Sequence, residues 1–298
     1  MPKIAFVNTN LITCGGIITN YEYVSRLKQR GFDARLLSNT GNEDLEKYYS
    51  LPHDPIETLR EWTDDDVIIA NRWEQTKDLE KYNGIKIQFV QGDDTIYYQN
   101  HSDLPKLIEA RNNQKWRLMG VSLYALKNWK RGMVIPNGIN ERFFNIIGLE
   151  RDIPCLVEGN DEPNKNIPYA IEQARNFSDD ITWLGRETHE RGVKTITNPP
   201  QREIPFIYQR AKHFFKYSHS EGFSLPILEA MASGCIVHTR NMGGNDFCID
   251  GFNCWMNSYD ESQNDFIIQN AKQTAQDYSW ERSIDNLTQY IEVLNLNK

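Results

Sequence analysis

Seven residues separate Glu221 from Glu229, and the residues around these two carboxylates predict a loop followed by a helix. The helix is expected over residues 225–232, with Ser224 as its N-cap and Glu229 about one turn inside it. Free N–H groups and the positive end of the helix dipole would make this helix start a site for an anion such as a pyrophosphate. Two carboxylates repel a phosphate unless they bind hydroxyl groups instead, which sugars and ribose supply. The segment therefore predicts a site for a phosphorylated ligand that is rich in hydroxyl groups.

Short apolar runs alternate with amphipathic stretches along the chain. In the first half, strands are predicted over residues 3–8, 34–37, 66–70, 86–90, 117–121 and 133–135, and a helix over residues 19–30. A strand, a helix and a second strand within about 35 residues form a βαβ unit with a parallel sheet. The first half is therefore predicted to be one Rossmann-like domain.

The turn-rich segment Ile135-Pro-Asn-Gly138 precedes a predicted domain boundary at about residue 148. After it, strands are predicted over residues 155–158, 181–184, 213–217 and 235–239, and helices over 167–175, 204–211, 225–232 and 280–296. Ligands bind at the carboxyl ends of the strands in open α/β sheets, and the loop with Glu221 follows such a strand end. The α/β pattern thus predicts a second Rossmann-like domain.

The string Glu221-Gly-Phe-Ser-Leu-Pro-Ile-Leu-Glu229-Ala-Met-Ala-Ser-Gly234 resembles the E-x7-E segment of retaining GT-B glycosyltransferases, especially family 4. Looser similarities cover nearly the whole chain, at Gly15-Gly16, Ile135 to Ile139, Gly159 to Asn166, Asn241 to Asn245 and Tyr278 to Glu281. The resemblance implies two Rossmann-like domains that face each other across a cleft. Residues 1–148 would form the acceptor side, residues 149–280 the donor side, and residues 281–298 a helix that returns to the first domain.

The resemblance also implies roles for single residues. Glu229 would bind the ribose hydroxyls of a nucleotide, and Glu221 the hydroxyls of the donor sugar. Lys165 would neutralise the diphosphate as it leaves, which is electrostatic stabilisation of developing charge. The expected catalytic residues are Glu221 and Lys165. The expected donor-binding residues are Gly15, Gly16, Gln91, Asn160, Lys165, Glu221, Gly222, Phe223, Ser224, Leu225 and Glu229.

Two positions depart from the pattern of the family. Asn160 stands where the family usually has an arginine that clamps the diphosphate together with the lysine. Either Lys165 acts alone, or another basic residue such as Arg202 or Arg240 substitutes, or turnover is poor. Gln91 stands about where the family often has a histidine, and a glutamine donates a hydrogen bond but does not titrate.

Composition limits the partners and the compartment. A net charge of −8 argues against a nucleic-acid surface, so no stable nucleic-acid binding is expected. Five scattered cysteines, the lack of a signal peptide and the lack of a long apolar run predict a cytoplasmic protein without a transmembrane segment. Asp64-Asp65-Asp66 fits a D-x-D metal pattern, but we interpret it as a turn before a strand. Neither a metal nor a cofactor is expected.

Three functions fit these patterns. The first is retaining transfer of a sugar from a nucleoside-diphosphate sugar to an acceptor. The second is epimerisation of a sugar nucleotide, which requires acidic and histidine groups placed for attack and release of water. The third is binding of a sugar nucleotide or a glycan without catalysis, for which Asn160 is the main argument. The acceptor stays open between a lipid-linked sugar, a capsule or cell-wall glycan, a protein and a modified nucleic-acid base.

Overall fold

The computed structural model describes residues 2–144, 148–185 and 192–296. By contacts the chain divides into two compact units, of which the first runs to Asn137 and resumes at Trp280, and the second runs from Gly138 to Ser279. The boundary after the first unit therefore lies at Asn137, and not at residue 148 as the sequence predicts. The reason is that Ile139 and Phe143 pack in the core of the second unit, where the Ile139 N–H donates to the Tyr278 carbonyl at 2.8 Å.

The first unit is built on a parallel sheet. Its strands are β1 (Ile4–Val7), β2 (Ala34–Leu37), β3 (Val67–Ala70), β4 (Ile85–Val90), β5 (Trp116–Gly120) and β6 (Met133–Val134), in the order β2-β1-β3-β4-β5-β6. Its helices are α1 (Gly15–Gln29), α2 (Glu43–Tyr49), α3 (Thr76–Leu79), α4 (Asp94–Tyr98), α5 (Leu104–Asn112) and α6 (Leu123–Leu126). Every residue of β1 and β3 is buried. Both are continuous apolar runs, as expected for strands that are covered on both faces.

The second unit is built on another parallel sheet. Its strands are β7 (Ile153–Glu158), β8 (Ile181–Gly185), β9 (Val193–Thr197), β10 (Ala211–Lys216) and β11 (Ile236–Thr239), in the order β11-β10-β7-β8-β9. Its helices are α7 (Ile167–Arg175), α8 (Ile204–Arg210), α9 (Leu225–Ala232) and α10 (Asn264–Gln276). The chain proceeds from β7 to β9 on one side and then returns to β10 on the other side of β7. Such a reversal of strand order leaves a crevice at the carboxyl ends of the two strands, where ligands bind.

The last helix, α11 (Trp280–Leu296), belongs to the first unit. The Trp280 ring contacts the Tyr23 ring edge-on, with 5.1 Å between the ring centroids. The Ser283 hydroxyl donates to the Pro136 carbonyl at 2.6 Å. Along the described parts of the chain, no helix is both long enough and apolar enough to span a membrane.

The fold class predicted from the sequence is confirmed, because both units are Rossmann-like α/β units with parallel sheets. Each predicted strand and helix occurs within a few residues of its expected bounds. The sequence analysis missed β9 and α10 in the second unit, and several helices of four to nine residues in the first.

Candidate active site

The reversal of strand order in the second unit brings a lysine and a glutamate together. Phe215 of β10 is in register with Val157 of β7, so the next residues, Lys216 and Glu158, end neighbouring strands. The Lys216 ammonium lies 2.6 Å from Glu158 Oε2, and only 2% of its side chain is exposed. A charge at this depth is costly unless it is paired, and Glu158 pairs it.

Glu221 joins this pair from the loop that follows β10. Its Oε1 accepts a hydrogen bond from Lys165 Nζ at 2.9 Å and from the Ser218 hydroxyl at 2.7 Å. Lys216 Nζ lies 3.3 Å from the same oxygen. The structure thus holds Glu221 between two lysines, one of which the sequence analysis had singled out.

The two lysines determine the protonation of Glu221. Burial alone would raise the pKa of this carboxyl group, but the charge of Lys216 and then that of Lys165 lower it to about 2. Burial would likewise lower the pKa of Lys216, but the charges of Glu158 and Glu221 raise it above its usual range. Glu221 and Lys216 are therefore both charged at neutral pH.

A glycine loop holds the backbone of Glu221 in place. The Glu221 N–H donates to the Met242 carbonyl at 3.0 Å, and the Gly244 N–H donates to the Glu221 carbonyl at 3.0 Å. A Cβ on Gly244 would lie under 3.0 Å from the carbonyl oxygens of Glu221 and Gly222. Only glycine therefore permits this approach of the two loops.

The start of α9 is partly occupied by the protein's own backbone. Ser224 is at the N-cap, as the sequence predicts, but its side chain makes no capping bond. Its N–H donates to the Gly244 carbonyl at 3.2 Å, and the Leu225 N–H donates to the Phe223 carbonyl at 3.0 Å. The expected row of free amide donors is thus shortened, because the glycine loop lies against this end of the helix. The Ser224 hydroxyl is buried and has no hydrogen-bond partner among the described residues.

The turn that carries Lys165 is bonded to the loop before Glu221. The Asn164 side-chain amide donates to the Ser220 carbonyl at 2.9 Å, and the His219 N–H donates to the Asn164 carbonyl at 2.8 Å. At the other end of the turn, the Gly159 carbonyl accepts from the Trp183 indole at 2.7 Å. These bonds fix the base of the Lys165 side chain.

Asn160 bonds within its own loop. Its side-chain amide donates to Glu162 Oε1 at 3.0 Å, and its Oδ1 accepts from the Glu162 N–H at 3.2 Å. Two basic residues were considered as substitutes for the missing arginine, Arg202 and Arg240. Both are exposed at the surface of the second unit. Neither has a described bond to Glu221, whereas the buried Lys216 does.

Glu229 is half-buried on α9. Burial raises the pKa of the Tyr208 hydroxyl, and the charges of Glu158 and Glu229 raise it further. Both carboxylates thus act on one buried tyrosine of α8. The proposed ribose contact of Glu229 stays a prediction.

Gly15, Gly16 and Gln91 lie in the first unit, whereas the cluster around Glu221 lies in the second. The two glycines begin α1. The Gln91 side-chain amide donates to the Gly16 carbonyl at 3.3 Å and also to Asn71 Oδ1. A Cβ on Gly16 would lie 3.1 Å from Gln91 Nε2, whereas a Cβ on Gly15 would meet nothing within 4 Å. A side chain at position 16 would therefore crowd the amide group of Gln91.

The aspartate run before β3 has a local role at its third residue. Asp66 accepts hydrogen bonds from the Lys3 N–H and the Thr63 N–H, both at 2.8 Å. Among the residues that the structure describes, no three histidine, cysteine, aspartate or glutamate side chains cluster as metal ligands would.

Sequence reasoning missed Lys216 and Glu158. A weak signal for both was present, because each is a charged residue that directly follows apolar residues, Glu158 at the end of one predicted strand and Lys216 one residue before the end of another. Charged side chains are rarely buried unless they are paired, so a charge at such a position predicts a partner nearby.

Part of the chain resembles known proteins in sequence. Residues 187–253 match the family model described as glycosyl transferases group 1. An O-antigen chain mannosyltransferase B from Escherichia coli is 32% identical over 114 residues, which cover 38% of this chain and 29% of the relative. A probable sucrose-phosphate synthase from Thermosipho melanesiensis is 25% identical, over 55% of this chain and 48% of the relative. The matches thus span less than half of either relative.

Solved structures match over nearly the full chain. HepE from Anabaena, solved in complex with UDP-glucose, superposes with a TM-score of 0.80 at 14% identity, covering 98% of this chain and 99% of that one. A sucrose-phosphate synthase from Thermosynechococcus elongatus superposes with a TM-score of 0.76 at 15% identity, covering 100% of both chains. The chain has the GT-B fold. Within it, Glu221 and Glu229 lie in the stretch that matches the glycosyl transferases group 1 model.

Proposed function

We propose that this chain is a retaining glycosyltransferase that uses a nucleoside-diphosphate sugar as donor and needs no metal ion. The observation that carries the proposal is the ionised Glu221, held by Lys165 at the carboxyl ends of β7 and β10. Glu221 also lies in the segment that matches the glycosyl transferases group 1 model. HepE was solved with UDP-glucose, which makes a UDP-sugar the first donor to test.

In the proposed reaction, the bond between the anomeric carbon and the phosphate oxygen breaks while a bond to the acceptor oxygen forms on the same face. The proton of the acceptor hydroxyl passes to the leaving phosphate oxygen. Lys165 would neutralise the negative charge that develops on the diphosphate, and Glu221 would orient the sugar through its hydroxyl groups. The Ser224 hydroxyl, buried at the start of α9 without a partner in the described structure, is a further donor at the same place.

The test is incubation with UDP-, GDP- and TDP-sugars, with release of free nucleoside diphosphate as the measured quantity. The correct donor raises the melting temperature, because it binds only the folded state. Replacing Lys165 by alanine removes one stabilising charge and should lower turnover roughly 100-fold. The matched control is Lys212→Ala, because Lys212 is an exposed lysine of β10. If no donor is bound or consumed, the proposal is wrong.

Binding without catalysis is the second candidate, and the contacts of Asn160 favour it. The side chain of Asn160 is uncharged, so it cannot neutralise a diphosphate. Its amide group donates instead to Glu162 of its own loop. This candidate predicts that a donor raises the melting temperature while no nucleoside diphosphate is released. Interconversion of the donor sugar in the same assay would instead indicate an epimerase.

A further inference from the structure

Lys216 is a buried lysine at the end of a strand whose preceding residues, Phe214 and Phe215, are apolar and fully buried. An apolar residue at this position would avoid the cost of removing a charge from water. The chain carries a lysine there instead, together with two carboxylates that balance it. This arrangement requires an explanation that the packing of the sheet does not supply.

The two lysines that hold Glu221 differ in freedom. The Lys165 side chain is 21% exposed and extends from a short turn, so its ammonium group is able to move toward a ligand. The Lys216 side chain is 2% exposed and is also bound to Glu158 at 2.6 Å. Only Lys165 is therefore placed to leave Glu221 and follow a bound anion.

We propose that Lys216 is a positioning residue that keeps Glu221 ionised and oriented while Lys165 moves onto the diphosphate of the donor. The inference rests on the proposed function, because it assumes that a diphosphate attracts Lys165. In the free protein, two lysines balance Glu221 and Glu158. Once Lys165 has turned to the diphosphate, Lys216 is the cation that remains beside Glu221.

Without Lys216, two carboxylates would face each other beside a diphosphate. Repulsion and burial both favour the protonated form of a carboxyl group, so Glu221 would take up a proton as the pH falls. Among the described residues, the charged groups that face Glu221 are Lys165 from the turn after β7 and Lys216 from β10, with Glu158 of β7 behind Lys216. The glycine loop contributes backbone groups to Glu221, through Met242 and Gly244.

The experiment compares Lys216→Met, Lys216→Arg and the control Lys212→Met, which changes an exposed lysine of the same strand. Donor KM, kcat and the pH profile of turnover are measured for each folded variant. We expect Lys216→Met to lower kcat at neutral pH at least 10-fold and to move the acidic limb of the profile up by at least one pH unit. Lys216→Arg should restore kcat to within a few-fold of the parent, and Lys212→Met should match the parent.

A second variant separates positioning from folding. Lys216→Met leaves the half-buried Glu158 without its cation, so the single variant is at risk of unfolding. Glu158→Gln combined with Lys216→Met removes both charges, and we expect it to fold yet to keep the low kcat and the displaced acidic limb. If the double variant recovers the parent's kcat and pH profile, Lys216 serves only to balance Glu158 and the inference is overturned.

The outcomes also separate this inference from the proposed function. If the parent protein turns over a donor and Lys216→Met does so with the same kcat and pH profile, only the role of Lys216 is refuted. If the parent binds UDP or GDP without turnover, the pH dependence of that binding is compared instead, and identical curves for the parent and Lys216→Met refute the role. If the parent neither binds nor turns over a nucleotide, the proposed function fails and the inference fails with it.

Discussion

Replacing Gly244 by alanine tests how the backbone of Glu221 is held. The added Cβ would lie under 3.0 Å from the carbonyl oxygens of Glu221 and Gly222. A carbon and a carbonyl oxygen in ordinary contact are about 3.3 Å apart or more, so the two loops would have to part by roughly 1 Å. The obstacle is backbone on both sides, and no side chain is available to turn away.

The separation has an energetic cost that the contacts allow us to estimate. Three backbone hydrogen bonds join the loops: from Glu221 to Met242 at 3.0 Å, from Gly244 to Glu221 at 3.0 Å, and from Ser224 to Gly244 at 3.2 Å. Breaking two or three of them at about 1 kcal/mol each would cost roughly 2–3 kcal/mol. At roughly 3 °C per kcal/mol, the melting temperature should fall by roughly 5–10 °C. A shift of about 1 Å at Glu221 should also lower turnover roughly 100-fold.

The assay is thermal unfolding of Gly244→Ala beside Gly92→Ala, followed by donor turnover at a temperature where both are folded. Gly92 is a matched control because a Cβ there would meet nothing within 4 Å and no unusual backbone angle is required. A melting temperature for Gly244→Ala within 2 °C of the control would refute the close approach of the loops. A normal melting temperature with lost turnover would show instead that the loop acts on the ligand directly.

Two further predictions concern the second unit. His213 Nδ1 lies 3.0 Å from His238 Nε2, and burial, with a smaller effect of Lys212, lowers the pKa of His213 to about 4. The unfolded chain therefore binds a proton that the native protein does not, from about pH 6.5 down to about 4. The stability contributed by neutral His213 is complete above this window, and the free energy of unfolding falls within it by up to about 1.4 kcal/mol per pH unit. Thermal unfolding across this range should show a shallower dependence of stability on pH for His213→Leu than for the parent. Parallel curves for the two proteins would contradict the argument. Trp183→Phe removes the indole bond to the Gly159 carbonyl and should cost about 1–3 kcal/mol in urea unfolding; no change would mean that this bond contributes nothing to the turn before Lys165.

The period of the apolar residues predicted the elements that matter for the fold. β1 and β3 are short apolar runs that are buried on both faces, and α9 begins and ends where its capping residues indicated. β9 was missed because only Val193 and Ile196 of its five residues are apolar and because it lies at the edge of the sheet. An edge strand lacks the apolar run of a central strand, so it resembles a loop in the sequence.

The topology around the candidate site was predictable from the sequence, and the contacts within the site were not. The order of the predicted strands and helices is sufficient to place the loop of Glu221 at the end of a strand. The approach of Gly244 to that loop depends on the path of a segment that lies 23 residues after Glu221, and no periodic pattern encodes it. The Ser224 hydroxyl illustrates the same limit, because its N-cap position was predicted while the absence of a capping bond depends on the neighbouring loop.

The missing arginine at position 160 shows that the charge of a site depends on residues that are close in the structure, and not only on those that are close in the sequence. In the sequence, Asn160 removes a positive charge five residues before Lys165. This loss is the main argument for a binding protein without catalysis. In the structure, Lys216 enters the same cluster from another strand and lies 3.3 Å from Glu221. Electrostatic energy depends on the distance between charges and on their burial, whatever their separation in sequence. If Lys216→Met has the kcat and the pH profile of the parent, Lys216 does not make up for the charge missing at position 160. Only in that case does Asn160 argue for an inactive protein.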